Sequence, residues 1–262
     1  MQKIFTCFTI FFFFLLEVQA QDKALFEKHW FIQSGDTLPY RVLFPKDYDN
    51  TKRYPLVFFL HGRGESGNDN EKQLTHGASL FLRDSLRNSY PAIIIFPQCP
   101  ANNYWSNVIN STSGSSTGKR TFYFVEGGEP SPAMRSLLSL VDHVLTQYPV
   151  NKQQVYVGGL SMGGMGTFEL VRRKPRVFAA AFAICGGAHP GTARQLRKTN
   201  WWLFHGMKDD VVLPAYTQQM EAALKKAKGI VRATYYPNAN HNSWDPAFAE
   251  PAFMQWLFSN KK

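Results

Sequence analysis

The chain has 262 residues, 44% of them hydrophobic and 18% charged, with a formal net charge of +10. That length suits one α/β domain and is short for two, and the composition excludes a disordered or fibrous chain. The excess Lys and Arg is scattered, with Arg172-Arg173-Lys174 and Lys225-Lys226 reading as solvated helix faces, so no nucleic-acid partner is expected. An affinity for acidic polymers is physically reasonable at this charge.

In chain order, Lys3 precedes an apolar run over residues 4–16 and the small-residue site Val18-Gln19-Ala20. This pattern reads as an export signal over residues 1–20, cleaved after about Ala20, giving a periplasmic or extracellular protein. The run is shorter than the roughly 20 residues a spanning helix needs, so no stable membrane insertion is expected after cleavage. Cys7 lies inside the run rather than after it, which does not fit a lipoprotein cut.

Residues 21–262 read as a single domain. Residues 29–45 alternate around Ser34-Gly35-Asp36 and predict an opening antiparallel hairpin. Then come continuous apolar runs at 56–60, 92–96, 155–157, 179–184, 201–204 and 233–236, the signature of strands buried on both faces. Helical spacing appears between them, over 132–147 (Leu137, Leu138, Val141, Val144, Leu145), 166–173 and 214–227. Strand and helix in alternation predict a mostly parallel central sheet with helices on both faces. Residues 101–130 break the rhythm and read as a long structureless loop or lid at the carboxyl edge of the sheet. Within it, Asn110-Ser111-Thr112 matches a glycosylation acceptor.

The chemistry centres on Gly159-Leu160-Ser161-Met162-Gly163, set between a strand and a helix. A serine on such a turn projects its hydroxyl into a cleft, and the helix N-terminus behind it favours a developing oxyanion. Ser161 is the candidate nucleophile. A serine hydroxyl needs a base, and the base needs an orienting carboxylate. Asp209 and Asp210 both follow the strand at 201–204, with Asp209 favoured, and His241 follows the last strand in a polar loop. The N–H groups of Met162 and Arg63 are candidate oxyanion donors, and the Arg63 side chain is a candidate partner for an acidic substrate group. Trp105 and Trp244 are candidates for the substrate pocket. His61 and His205 read as turn-fixing residues, His29 and His143 as surface residues, and His76 and His189 as loop residues with a weaker claim on the cleft. No metal-ligand spacing and no phosphate-cradling loop occurs, so no cofactor is expected.

Phe59-Leu60-His61-Gly62-Arg63-Gly64-Glu65, Gly67-Asn68-Asp69-Asn70, Gln73-Leu74-Thr75-His76-Gly77, Pro97-Gln98-Cys99-Pro100 and Trp105 resemble the predicted-peptidase or esterase group of bacterial α/β hydrolases. That group is similar to the phospholipase/carboxylesterase and polyhydroxyalkanoate-depolymerase-like esterases. The match continues through Gly159 to Gly164, Ile184-Cys185-Gly186-Gly187, His205-Gly206 to Val212, and His241-Asn242-Ser243-Trp244-Asp245. The resemblance implies an α/β-hydrolase fold with sheet order 1-2-4-3-5-6-7-8, a Ser161–Asp209–His241 triad, and oxyanion donors at Met162 and Arg63. In that sheet order Cys99 and Cys185 end strands about 14 Å apart, too far for a ready disulfide. Arg63 and the Ser/Thr-rich stretch 111–118 depart from the group's pattern. The expected function is a secreted or periplasmic carboxylic-ester hydrolase forming an acyl-enzyme on a small-molecule or polysaccharide-linked ester. A serine peptidase with the same triad is the first alternative, and a non-catalytic carbohydrate-binding protein on this fold is the second.

Overall fold

The computed structural model describes residues 23–33, 35–111 and 121–262. The N-terminal apolar run and its cleavage position lie outside the described residues, as does Thr112 of the glycosylation pattern.

Strands that are apolar on both faces must be covered on both. The strands, in chain order, are β1 (Glu27–Gln33), β2 (Asp36–Leu43), β3 (Tyr54–Leu60), β4 (Ile93–Pro97), β5 (Val108–Ser111), β6 (Thr121–Phe124), β7 (Val150–Leu160), β8 (Ala180–Ile184), β9 (Asn200–Gly206) and β10 (Val231–Tyr236). The helices are α1 (Ala78–Leu82), α2 (Asp84–Ser89), α3 (Pro132–Gln147), α4 (Met162–Arg173), α5 (Ala193–Leu196), α6 (Pro214–Lys226), α7 (Trp244–Phe248) and α8 (Phe253–Ser259).

Eight strands form one sheet in the order β1-β2-β4-β3-β7-β8-β9-β10. β2 runs antiparallel to both neighbours, and every later pair is parallel. Numbered within the sheet alone, the order is 1-2-4-3-5-6-7-8, as the resemblance implies for an α/β-hydrolase fold. Alternation along each strand divides the core in two. Leu56, Phe58, Val157 and Leu203 pack under α3 and α4 with Leu137, Val141, Phe168 and Leu170. Val57, Phe59, Phe182 and Trp202 face the other way and meet Phe81, Phe253 and Leu257. The sheet thereby brings the carboxyl ends of β3, β7, β8, β9 and β10 to one rim.

Three expectations need correction. The stretch 101–130 is not structureless, because β5 and β6 pair antiparallel within it. Phe122 and Phe124 from that pair pack against Tyr216, and the Phe122 N–H donates to the Tyr216 hydroxyl oxygen at 3.1 Å. Arg172 and Arg173 are not solvated either, since both guanidinium groups donate to the buried Glu169 carboxylate at 2.6–2.9 Å. His29 and His143 are half-buried, their rings packing against Tyr40 and Phe31. Cys99 and Cys185 are buried and unbridged. Burial pushes both thiols up, Cys99 to about 12. Among the described residues, no helix is long and apolar enough to cross a membrane.

Candidate active site

The turn between β7 and α4 is set by close backbone approach. A Cβ at Gly163 would lie 1.9 Å from the Leu60 carbonyl oxygen, so only glycine lets the end of β3 press against the first turn of α4. Ser161 sits in this turn at φ 52° and ψ −117°, a conformation that costs a non-glycine residue about 1–3 kcal/mol. Its N–H donates to Ile184 O at 2.8 Å and its carbonyl accepts from Met165 N–H at 3.0 Å. The backbone is thus anchored on both sides while the side chain stays partly exposed.

His241 and Asp209 come from the loops after β10 and β9, strands paired in parallel so that their carboxyl ends adjoin. His241 Nδ1 lies 2.8 Å from Asp209 Oδ2, and His241 Nε2 lies 3.0 Å from Ser161 Oγ. A carboxylate only accepts, so Nδ1 carries the hydrogen and Nε2 presents its lone pair to the serine hydroxyl. Asp209 Oδ1 accepts from the N–H groups of Val211 and Val212 at 2.9 Å each. His205 Nε2 faces both Val212 O at 2.8 Å and Asp209 Oδ2 at 3.2 Å, so it too carries a hydrogen. Burial pushes the Asp209 carboxyl up, but the hydrogen bonds from His205, His241 and Val212 outweigh it and hold the group well below the ordinary carboxylate range. Asp210 is exposed, and the structure gives its side chain no role in this chain of hydrogen bonds.

The Met162 N–H, in the first turn of α4, has no intrahelical acceptor. The Arg63 N–H lies in the 3₁₀ turn after β3 and has no acceptor among the described residues. The Arg63 side chain does not meet the expectation of an acidic substrate group. Its Nη1 donates to Asn103 O at 2.8 Å and its Nη2 to Ala101 O at 2.6 Å, above the Tyr104 ring. It clamps the chain's own loop.

Trp105 is likewise not at the pocket surface. It is 0% exposed, with its indole edge-on to the His61 ring 5.6 Å away. Trp244 is half-buried, perpendicular to the His241 ring at 5.5 Å. His61 fixes a turn as expected: Nδ1 donates to Gly62 O at 2.6 Å and Nε2 accepts the Cys99 N–H at 2.9 Å. Burial pushes this imidazole down to about 4. His189 accepts the Gly191 N–H at 3.1 Å and serves a local turn. Glu65 escaped the sequence reading, and His76 was read only as a loop residue with a weaker claim on the cleft. Glu65 is buried beside the Arg63 turn, and His76 packs its ring on Trp244. Both lie on the connection between β3 and α1, and no spacing links them to Trp244, which follows β10 at the start of α7.

Cys185, Asp209 and His241 hold ligand-type atoms within 4.8 Å of one another, the one such group among the described residues. The Asp209 carboxylate is already filled by hydrogen-bond donors, and burial keeps the Cys185 thiol protonated. These atoms do not fit a resident metal.

Residues 48–251 match the phospholipase/carboxylesterase family model. The chain is 24% identical over 205 residues to the bifunctional acetylxylan esterase/xylanase XynS20E of Neocallimastix patriciarum, covering 73% of this chain and 26% of that protein. It is 32% identical over 145 residues to a poly(3-hydroxybutyrate) depolymerase of Ralstonia pickettii, covering 55% of this chain and 27% of that one. The chain therefore spans about a quarter of the length of these two relatives. Among solved structures, a thermostable esterase superposes with a TM-score of 0.79 at 30% identity, over 91% of this chain and 64% of the other. With the family model covering more than three-quarters of the sequence, the chain belongs to the phospholipase/carboxylesterase family of α/β hydrolases.

Proposed function

We propose that this protein is an exported serine carboxylic-ester hydrolase acting on acyl groups attached to saccharides or on small aryl and alkyl esters. The observation that carries the reading is the unbroken hydrogen-bond line from Ser161 Oγ through His241 to Asp209. In the proposed mechanism, His241 Nε2 takes the hydroxyl proton as Ser161 Oγ attacks the acyl carbon. Asp209 holds the ring in the required tautomer and stabilises the imidazolium that forms. The N–H groups of Met162 and Arg63 receive the oxyanion, each such donor being worth about 3 kcal/mol in the transition state. Collapse expels the alcohol, which takes its proton from His241, and water then releases the acid by the same steps in reverse.

The similarity to an acetylxylan esterase supports an acyl group on a polysaccharide as substrate. The apolar run at residues 4–16 supports export. Turnover of p-nitrophenyl acetate tests the reading: wild type is expected to be active and Ser161→Ala to fall to background. Full activity in Ser161→Ala would refute the assigned nucleophile.

A further inference from the structure

The leaving alcohol must depart on the His241 side, because the nitrogen that accepts the serine proton later delivers it to the alcohol oxygen. The wall on that side is made by residues outside the Ser161–His241–Asp209 line. Trp244 stands perpendicular to His241 at 5.5 Å, and the His76 ring lies 5.0 Å from the same indole. The His76 side chain is 35% exposed, and its Nε2 faces Glu65 Oε1 at 3.8 Å. No described residue hydrogen-bonds either ring nitrogen.

Glu65 closes this wall back onto the nucleophile. It is only 9% exposed, and its Oε2 has no hydrogen-bond partner. A Cβ at Gly62 would lie 3.0 Å from that oxygen and 3.6 Å from Ser161 Cβ. A buried carboxylate oxygen without a donor is costly, and such exceptions need a functional or structural reason. Glu65 also gives His76 a direction. At 3.8 Å the pair is beyond hydrogen-bond reach, and the carboxylate acts by its charge, favouring the tautomer with its hydrogen on Nε2 and Nδ1 left to accept.

We propose that Trp244, His76 and Glu65 form a leaving-group subsite for a hydroxylated ring, the alcohol half of a saccharide ester. This rests on the ester-hydrolase reading of Ser161. The indole supplies an apolar face for the ring. The His76 imidazole, oriented by Glu65, accepts a hydrogen bond from a hydroxyl next to the ester. His76 and Trp244 touch substrate in this arrangement, and Glu65 is a positioning residue.

The experiment compares acetylated xylobiose with p-nitrophenyl acetate, whose leaving group has a ring but no neighbouring hydroxyl. His76→Phe keeps a ring against Trp244 and removes both nitrogens. It is expected to lower kcat/KM for acetylated xylobiose about tenfold, chiefly through KM, and to leave p-nitrophenyl acetate within about twofold, as loss of one hydrogen bond implies. Glu65→Gln is expected to move the same substrate in the same direction by a smaller factor. His76→Gln, which keeps an acceptor, is expected to recover part of the loss. Equal losses on both substrates, or no loss on either, would overturn the subsite. So would a wild-type enzyme that cleaves p-nitrophenyl acetate but not the acetylated sugar. A wild type that cleaves neither ester overturns the hydrolase reading itself, and the subsite with it.

Discussion

His205 Nε2 lies 3.2 Å from Asp209 Oδ2, the same oxygen that receives His241 Nδ1 at 2.8 Å. Two imidazoles therefore converge on one carboxylate oxygen, while two backbone N–H groups fill the other. His205 is fully buried, and its Nδ1 is also engaged, with Thr217 Oγ1 at 2.7 Å. Replacing His205 by Ala leaves these polar groups short of partners in the core. The expected cost is about 2–4 kcal/mol of stability, read as a lower urea midpoint. An unchanged midpoint would show that His205 does not brace Asp209.

Asp209 and Asp210 are adjacent in sequence and opposite in environment, one buried and one exposed. Asp209→Asn keeps the shape and loses the charge that fixes the His241 tautomer. It is expected to lower kcat for p-nitrophenyl acetate by about 10³–10⁴, whereas Asp210→Asn should stay within about twofold. Comparable losses in the two variants would reopen the assignment.

His61 links stability to pH. Burial depresses its pKa from 6.5 to about 4, so between those values the unfolded chain binds a proton that the folded chain refuses. Its contribution to stability is full above pH 6.5 and falls as pH drops toward 4, by about 3 kcal/mol in all. Urea melts at pH 7.5 and pH 5 are expected to show wild type losing more stability on acidification than His61→Gln. Parallel losses would contradict the depressed pKa. Asp209 contributes at lower pH: with its pKa below the ordinary range, its stabilisation is full above about pH 4 and is lost only as pH falls below that.

Arg63 separates backbone from side-chain roles. Arg63→Ala keeps the N–H and removes the clamp on Ala101 O and Asn103 O. Limited proteolysis is expected to cut faster near residues 101–104, with kcat reduced less than tenfold. A loss of about a thousandfold would mean that the guanidinium itself acts on the substrate.

The sheet was legible because Leu56 to Leu60 and Ala180 to Ile184 are apolar on both faces, a demand only a covered strand meets. The start of β7 was not, because Asn151 to Gln154 fall in the register shift between the Tyr54–Val150 and Leu56–Val155 pairings, with Lys152 and Gln153 exposed, and so carry no apolar pattern. α4 begins four residues before the segment read as helical, since the glycines at 163, 164 and 166 look like breakers and are instead required by backbone contact. β5 and β6 are short and mix Ser and Asn with aromatics, so their pairing follows from Tyr216 and Met165 beneath them rather than from local pattern. Order along the chain pointed to Ser161 and His241. It could not choose between neighbouring aspartates, nor tell the buried Trp105 from the half-buried Trp244 beside His241, because burial of an aromatic side chain is decided by partners distant in sequence. Glu65 was missed for the same reason, and His76 was placed only as a loop residue with a weaker claim on the cleft.

The reactivity of one hydroxyl tests the proposed chemistry most directly. A fluorophosphonate probe followed by peptide mapping is expected to place a single covalent adduct on Ser161, with labelling abolished in Ser161→Ala and strongly slowed in His241→Ala. An adduct on another residue, or unchanged labelling rates in His241→Ala, would contradict the proposal that the imidazole activates this serine.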